Sequence, residues 1–214
     1  MSKIHTLPIL IFLIAITSAC ATQKDPMPGL LKMSVDSSLL RLEQGDLCGN
    51  GAISKEKRTE VARVLATIDR PGLADALGYS PALYAVMADS PAELERLLGL
   101  GYSTSNEDGS LLHAAGYWNS VNTARYLLDH GVDPNTTNDG GGTPLMVAVS
   151  EGGPDVARLL LARAARVDNR TLRYALVCKD QDIVDLIVQA GAEIDDKTRA
   201  VAQKFNMRLP SNGR

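Results

Sequence analysis

The chain has 214 residues, with 22 Lys and Arg against 25 Asp and Glu and a net charge of −3. That acidic balance disfavours a nucleic-acid partner, which would call for a basic face, and leaves open a basic protein partner. Three cysteines in 214 residues do not make a disulfide-dense scaffold, and the length suits one domain with a substantial core.

Residues 1–19 read as a targeting segment. Lys3 supplies a positive start, and Leu7 to Ile16 is an apolar run too short to span a bilayer. Ile16, Thr17, Ser18 and Ala19 then lead directly into Cys20, which resembles the bacterial lipobox. The resemblance implies lipidation of Cys20 and an anchor in the membrane rather than a span. Ala21 after that cysteine implies an outer-membrane, periplasm-facing location. The alternative is ordinary cleavage after Ala21, giving a soluble periplasmic protein. Removing the leader takes away Lys3 and no acid, so 21 basic and 25 acidic residues remain, a net charge of −4.

Residues 20–53 read as the lipidated N-terminus, a tether and an entry segment, with a proline-bearing polar linker at Thr22 to Gly29 and a loop at Gly45 to Gly51. Residues 54–74 read as a capping helix or degenerate repeat, with Val61, Val64, Leu65 and Ile68 on one face.

From residue 75 onward one spacing recurs. Ala85 and Gly101, Ala115 and Gly131, Ala148 and Ala164, and Ala175 and Gly191 each lie sixteen residues apart. Inside each pair sits an apolar doublet: Leu97 and Leu98, Leu127 and Leu128, Leu160 and Leu161, Ile187 and Val188. The steps between repeats are 30, 33 and 27 residues, the signature of a stacked solenoid. Ser80, Ser110 and Thr143 stand at helix N-caps, and Pro81 and Pro144 at first helical positions. Gly101, Gly131 and Gly191 suit left-handed helix ends, while Ala164 predicts a strained or altered turn. The short last step predicts a truncated connection near Ala165 to Arg170. Residues 197–214 read as a C-terminal cap and a frayed tail starting at Leu209.

Three segments carry a family likeness: Asp75 to Pro81, Gly109 to Ala115, and Gly142 to Ala148. A fourth, from Thr171 to Gly191, is strong in its second helix. Together they resemble the ankyrin repeat. The resemblance implies an all-α solenoid of about four helix-turn-helix repeats over residues 75–196, with N- and C-terminal capping helices. It also implies a protein-binding module rather than an enzyme.

Motifs for catalysis, phosphate binding and zinc proteolysis are absent, so no catalytic residue, metal ligand or cofactor is assigned. The Gly140 to Gly142 run lacks the lysine of a phosphate loop and reads as a turn tip. His113 occupies the position where ankyrin repeats keep a structural histidine.

The repeat frame implies a groove carrying Met87 and Ala88, Tyr117 and Trp118, Ser150 and Glu151, and Val177 and Cys178. Turn tips would carry Leu77 and Tyr79, Asn106 and Glu107, and Asp139 and Gly140. The expected partner contacts are Tyr117, Trp118, Tyr79, Met87, Glu107, Asp139, Ser150 and Glu151. Tyr117 and Trp118 lead as exposed aromatic anchors that add little to the core. The competing role for Trp118 is packing over a neighbouring repeat or the N-terminal segment.

Cys48 and Cys178 are either a disulfide or two unpaired thiols. About five residues join Cys48 to the Ser54 helix, a reach of roughly 18 Å. Spanning several repeats would need a fold-back, which favours unpaired thiols. Functionally, the reading is a groove that captures another protein, in its sharper form an immunity-type inhibitor of a toxin such as a secreted phospholipase. The alternatives are an envelope scaffold or an oxidative-stress-related ankyrin protein.

Overall fold

In the computed structural model, the structure describes Cys48, residues 53–66, Asp69, residues 80–106 and residues 109–210. The expected lipidation site Cys20, Tyr79, Glu107 and the leader lie outside the described residues.

Four helix pairs stack in sequence order. The first is α2 (Pro81–Met87) with α3 (Pro91–Gly99), and the second α4 (Leu111–Trp118) with α5 (Val121–Asp129). The third is α6 (Pro144–Glu151) with α7 (Pro154–Ala162), and the fourth α8 (Asn169–Val177) with α9 (Gln181–Gln189). The first helices pack on one another as an inner row, and the second helices form an outer row. Helix α1 (Lys55–Leu65) covers α2, and α10 (Asp196–Phe205) covers α8. Among the described residues the only strands are β1 (Ser105–Asn106) and β2 (Gly109–Ser110), an antiparallel hairpin pairing Ser105 with Ser110. The architecture is an all-α repeat solenoid.

Local chemistry explains the helix bounds. Pro81 and Pro144 begin their helices, and Thr143 accepts a hydrogen bond from the Met146 amide at 3.2 Å. Gly101, Gly131 and Gly191 take φ of 96°, 82° and 97°, and Ala164 adopts the same left-handed hand at 58°. An L-residue pays for that conformation where glycine does not, so the strained turn at Ala164 is real. The last connection is short because Asp168 caps α8 early, accepting from the Thr171 amide at 2.7 Å.

The inner row buries Leu83, Leu112, Leu145 and Leu172 with the alanines at 85, 115, 148 and 175. In the outer helices it is the first member of each doublet that is fully buried: Leu97, Leu127, Leu160 and Ile187. Leu128, the second member, is only half-buried. The reason is geometric, because neighbours on a helix diverge by about 100° and only one can face the next repeat.

Two side chains in left-handed positions stitch successive repeats. Asp89, at φ 52°, accepts from the Thr123 amide at 2.9 Å and from the Asn122 side-chain amide at 2.9 Å. Asn119, at φ 50°, accepts from the Asp155 and Val156 amides at 3.2 and 3.1 Å. Each occupies the loop of one repeat and satisfies the open N-terminus of the outer helix in the next.

The tail from Leu209 is not frayed at its start. Leu209 packs partly against the core, and Arg208 is held by Gln181 and by Asp185 at 3.2 Å.

Candidate functional site

The inner helices end in a row at Met87, Trp118, Glu151 and Val177. Each end leaves carbonyls without intrahelical partners and carries the negative end of the helix dipole. The chain's own N-terminal region supplies partners for these ends.

Arg58, on α1, is the first fixing. Its Nη1 donates to the Met87 carbonyl at 3.0 Å and to Ser120 Oγ at 2.9 Å, and its Nη2 donates to the Trp118 carbonyl at 2.6 Å. One guanidinium thus joins the ends of α2 and α4, and its fork of five donors is what makes such bridging possible.

The second fixing is covalent. Cys48 and Cys178 form a disulfide with Cα atoms 5.3 Å apart across a sequence separation of 130. The Cys48 amide also donates to the Ser150 carbonyl at 2.9 Å. The expectation of two unpaired thiols is therefore corrected. Its reach estimate was sound, but its starting point was not. Arg58 already brings α1 to the second repeat, so the third and fourth lie only one or two helix spacings of roughly 10 Å beyond.

These contacts revise the expected binding groove. Trp118 is 7% exposed, its ring meets Tyr117 edge-on at 5.8 Å, and it belongs to the apolar core. Ser150 and Glu151 are also buried, at 5% and 7%. None of the three is an exposed contact in this state, and Ala88 is buried as well. Arg58 bonds at Met87, Trp118 and Ser120, and Cys48 bonds at Ser150 and Cys178, positions that the repeat frame alone would leave open. Met87 and Tyr117 are half-buried and Asp139 is exposed. Arg58 and Cys48 were missed because neither belongs to a repeat. Their only sequence signal was the cysteine pair itself.

His113 is held as expected of a structural residue. Its Nε2 lies 3.0 Å from the Gly142 carbonyl, and its Nδ1 accepts from the Ser110 amide at 3.3 Å. That pattern requires the neutral Nε2–H tautomer. Burial lowers its pKa below the ordinary 6.5, against the opposing hydrogen bond to Gly142. A bonded, neutral, buried imidazole is a strut between turns and not a base poised for catalysis.

Among the described residues no group of three or more His, Cys, Asp or Glu is placed to hold a metal ion. No helix there is long and apolar enough to cross a membrane.

Residues 112–161 match the family model for ankyrin repeats (many copies), from the start of α4 in the second repeat to the end of α7 in the third. Repeats of this kind indicate a protein–protein interaction module. The matched residues fall inside four stacked helix pairs that share one frame and left-handed turns, and the chain carries ankyrin repeats.

Proposed function

We propose that this protein is an exported, lipid-anchored module that binds another protein at the periplasmic face of an outer membrane. The observation that carries the reading is the disulfide between Cys48 and Cys178 in a chain whose start resembles a lipoprotein leader. Disulfides persist in oxidising compartments and are rare in the cytosol, so the cross-link and the leader argue independently for export.

Within this reading, the contact surface lies on the turn tips and inner-helix ends of the repeat array. Exposed Asp139 and Asp133 on the tips before the third repeat supply carboxylates, and half-buried Tyr117 and Met87 nearer the row supply apolar surface. Arg170, bonded to the Gly141 carbonyl at 3.2 Å, stands beside the same tip. Such a surface complements a basic protein partner. In its sharper form the partner is a toxin that attacks membrane lipid, and the anchor at Cys20 holds the inhibitor beside the toxin's substrate.

Cys20→Ala tests the anchor. The variant should lose both acyl labelling and membrane fractionation, and a variant that stays membrane-bound and processed like the parent would defeat the reading. Asp139→Lys on the mature protein tests the surface. It should weaken partner capture while leaving the melting temperature unchanged.

A further inference from the structure

We propose that the Cys48–Cys178 disulfide is a redox latch: a dithiol opens it and frees the Cys48 end from the third and fourth repeats, while Arg58 keeps the other end closed. The inner row would then present different surfaces in its oxidised and reduced forms. The proposal stands on the geometry of the row and does not require the partner suggested above.

Three observations support it. First, the N-terminal region is fixed at two separate places by different chemistry. Arg58 hydrogen-bonds the first two repeats, whereas Cys48 carries the disulfide and an amide bond to the Ser150 carbonyl at 2.9 Å. Cutting the disulfide removes the covalent part of one fixing and none of the other. Leu65, buried at 3%, and the packing of α1 on α2 anchor the Arg58 end further.

Second, Cys48 is exposed although its cross-link closes a loop of well over a hundred residues. Attack on a disulfide needs an approach path to one sulfur, and exposed Cys48 is the more open of the two residues, Cys178 being half-buried. Third, Cys48 holds φ of 79°, a left-handed conformation that is unfavourable for a residue with a Cβ. Among the described residues, the Ser150 carbonyl is the hydrogen-bond partner that still holds that backbone once the sulfur is released.

The exchange balances without other reactants. One thiolate of the dithiol bonds to Cys48 Sγ, the S–S bond breaks, and its electron pair leaves on Cys178 Sγ, which takes a proton. The second thiolate of the reagent then attacks the mixed disulfide, closes the reagent's own disulfide and releases Cys48, which takes the other proton. Two electrons and two protons pass to the protein. Cys178 already lies 3.4 Å from the Val149 carbonyl, an acceptor for the new thiol.

The experiment compares the oxidised mature chain with the same chain in dithiothreitol under native conditions. It combines thiol counting, circular dichroism and hydrogen exchange read by mass spectrometry. Two thiols should appear, and the Cys48 amide and residues 149–151 should exchange at least about tenfold faster. Helices α2 to α5 and the overall helical signal should not change. Cys48→Ser without reductant should reproduce the reduced pattern. Unchanged exchange at Cys48 and 149–151 after reduction would overturn the proposal. So would a disulfide that resists the dithiol in the native protein, or a cooperative loss of all helices when it opens.

Discussion

Gly153 lies directly against the backbone of Gly116. A Cβ built on Gly153 would collide with the Gly116 carbonyl, and one built on Gly116 would come within 2.9 Å of the Pro144 carbonyl. Both obstacles are backbone, which cannot swing aside as a side chain can. Here the second and third repeats approach more closely than any residue with a side chain allows.

Gly153→Ala and Gly116→Ala should therefore each destabilise the fold by about 1–3 kcal/mol, the usual range for overpacking a tight contact. Gly99→Ala is the control, since nothing lies within 4 Å of a Cβ there. Urea titration of the three variants gives the ranking. A Gly153→Ala protein as stable as the Gly99→Ala protein would mean that the two repeats are not so close.

The outer row makes a second prediction. Leu127 and Leu160 are fully buried, so Leu127→Ala and Leu160→Ala should each cost about 2–5 kcal/mol. Leu128 is half-buried, so Leu128→Ala should cost clearly less than Leu127→Ala. Equal losses at 127 and 128 would place the helix in a different rotation.

The repeat frame was legible because its determinants are local. Prolines at 81 and 144 fix φ at helix starts, glycines at 101, 131 and 191 permit left-handed helix ends, and alanines at 85, 115, 148 and 175 recur at one spacing from those ends. The strained turn at Ala164 was readable on the same grounds. Which leucine of a doublet faces inward was not, because adjacent apolar residues satisfy the same pattern at either rotation. The stitching by Asp89 and Asn119 was hidden too, since an acid or amide in a loop carries no mark of the repeat it will reach. The site was the least legible part. The expected groove positions lie at helix ends, yet the residues that bond there, Cys48 and Arg58, are remote in sequence and outside the frame. Only the three-dimensional return of the chain brings them there.

The buried imidazole of His113 predicts a pH dependence. Burial lowers its folded pKa below the ordinary 6.5, so between that lowered value and 6.5 the unfolded chain binds more protons than the native one. Stability must then rise with pH across this window. The contribution is fully present above about pH 6.5 and is lost as the pH falls toward the folded value. Denaturation midpoints between pH 5 and 7.5 should fall on the acid side for the parent. His113→Gln should be less stable at pH 7.5, having lost its bond to Gly142, and should show a flatter slope over the same range. An unchanged slope in the variant would assign the dependence to other groups.

Trp118 decides between packing and contact. Its 7% exposure, its place in the core and the Arg58 bond to its carbonyl all assign it to packing. Trp118→Ala should then lower stability by about 3–5 kcal/mol, the usual cost of removing a buried Trp. Tyr117→Ala removes a half-buried ring and should cost less. Arg58→Met separates the two parts of the Trp118 environment. It keeps much of the side-chain volume but removes the donors to Met87, Trp118 and Ser120, leaving three acceptors to find water. The native fluorescence of Trp118, the only tryptophan, should shift to longer wavelength in Arg58→Met if α1 moves away from the ends of α2 and α4. A Trp118→Ala protein that melts within about 0.5 kcal/mol of the parent would return Trp118 to the surface, because substitutions outside the core seldom change stability by more than that. The aromatic pair would then again be the leading partner contact.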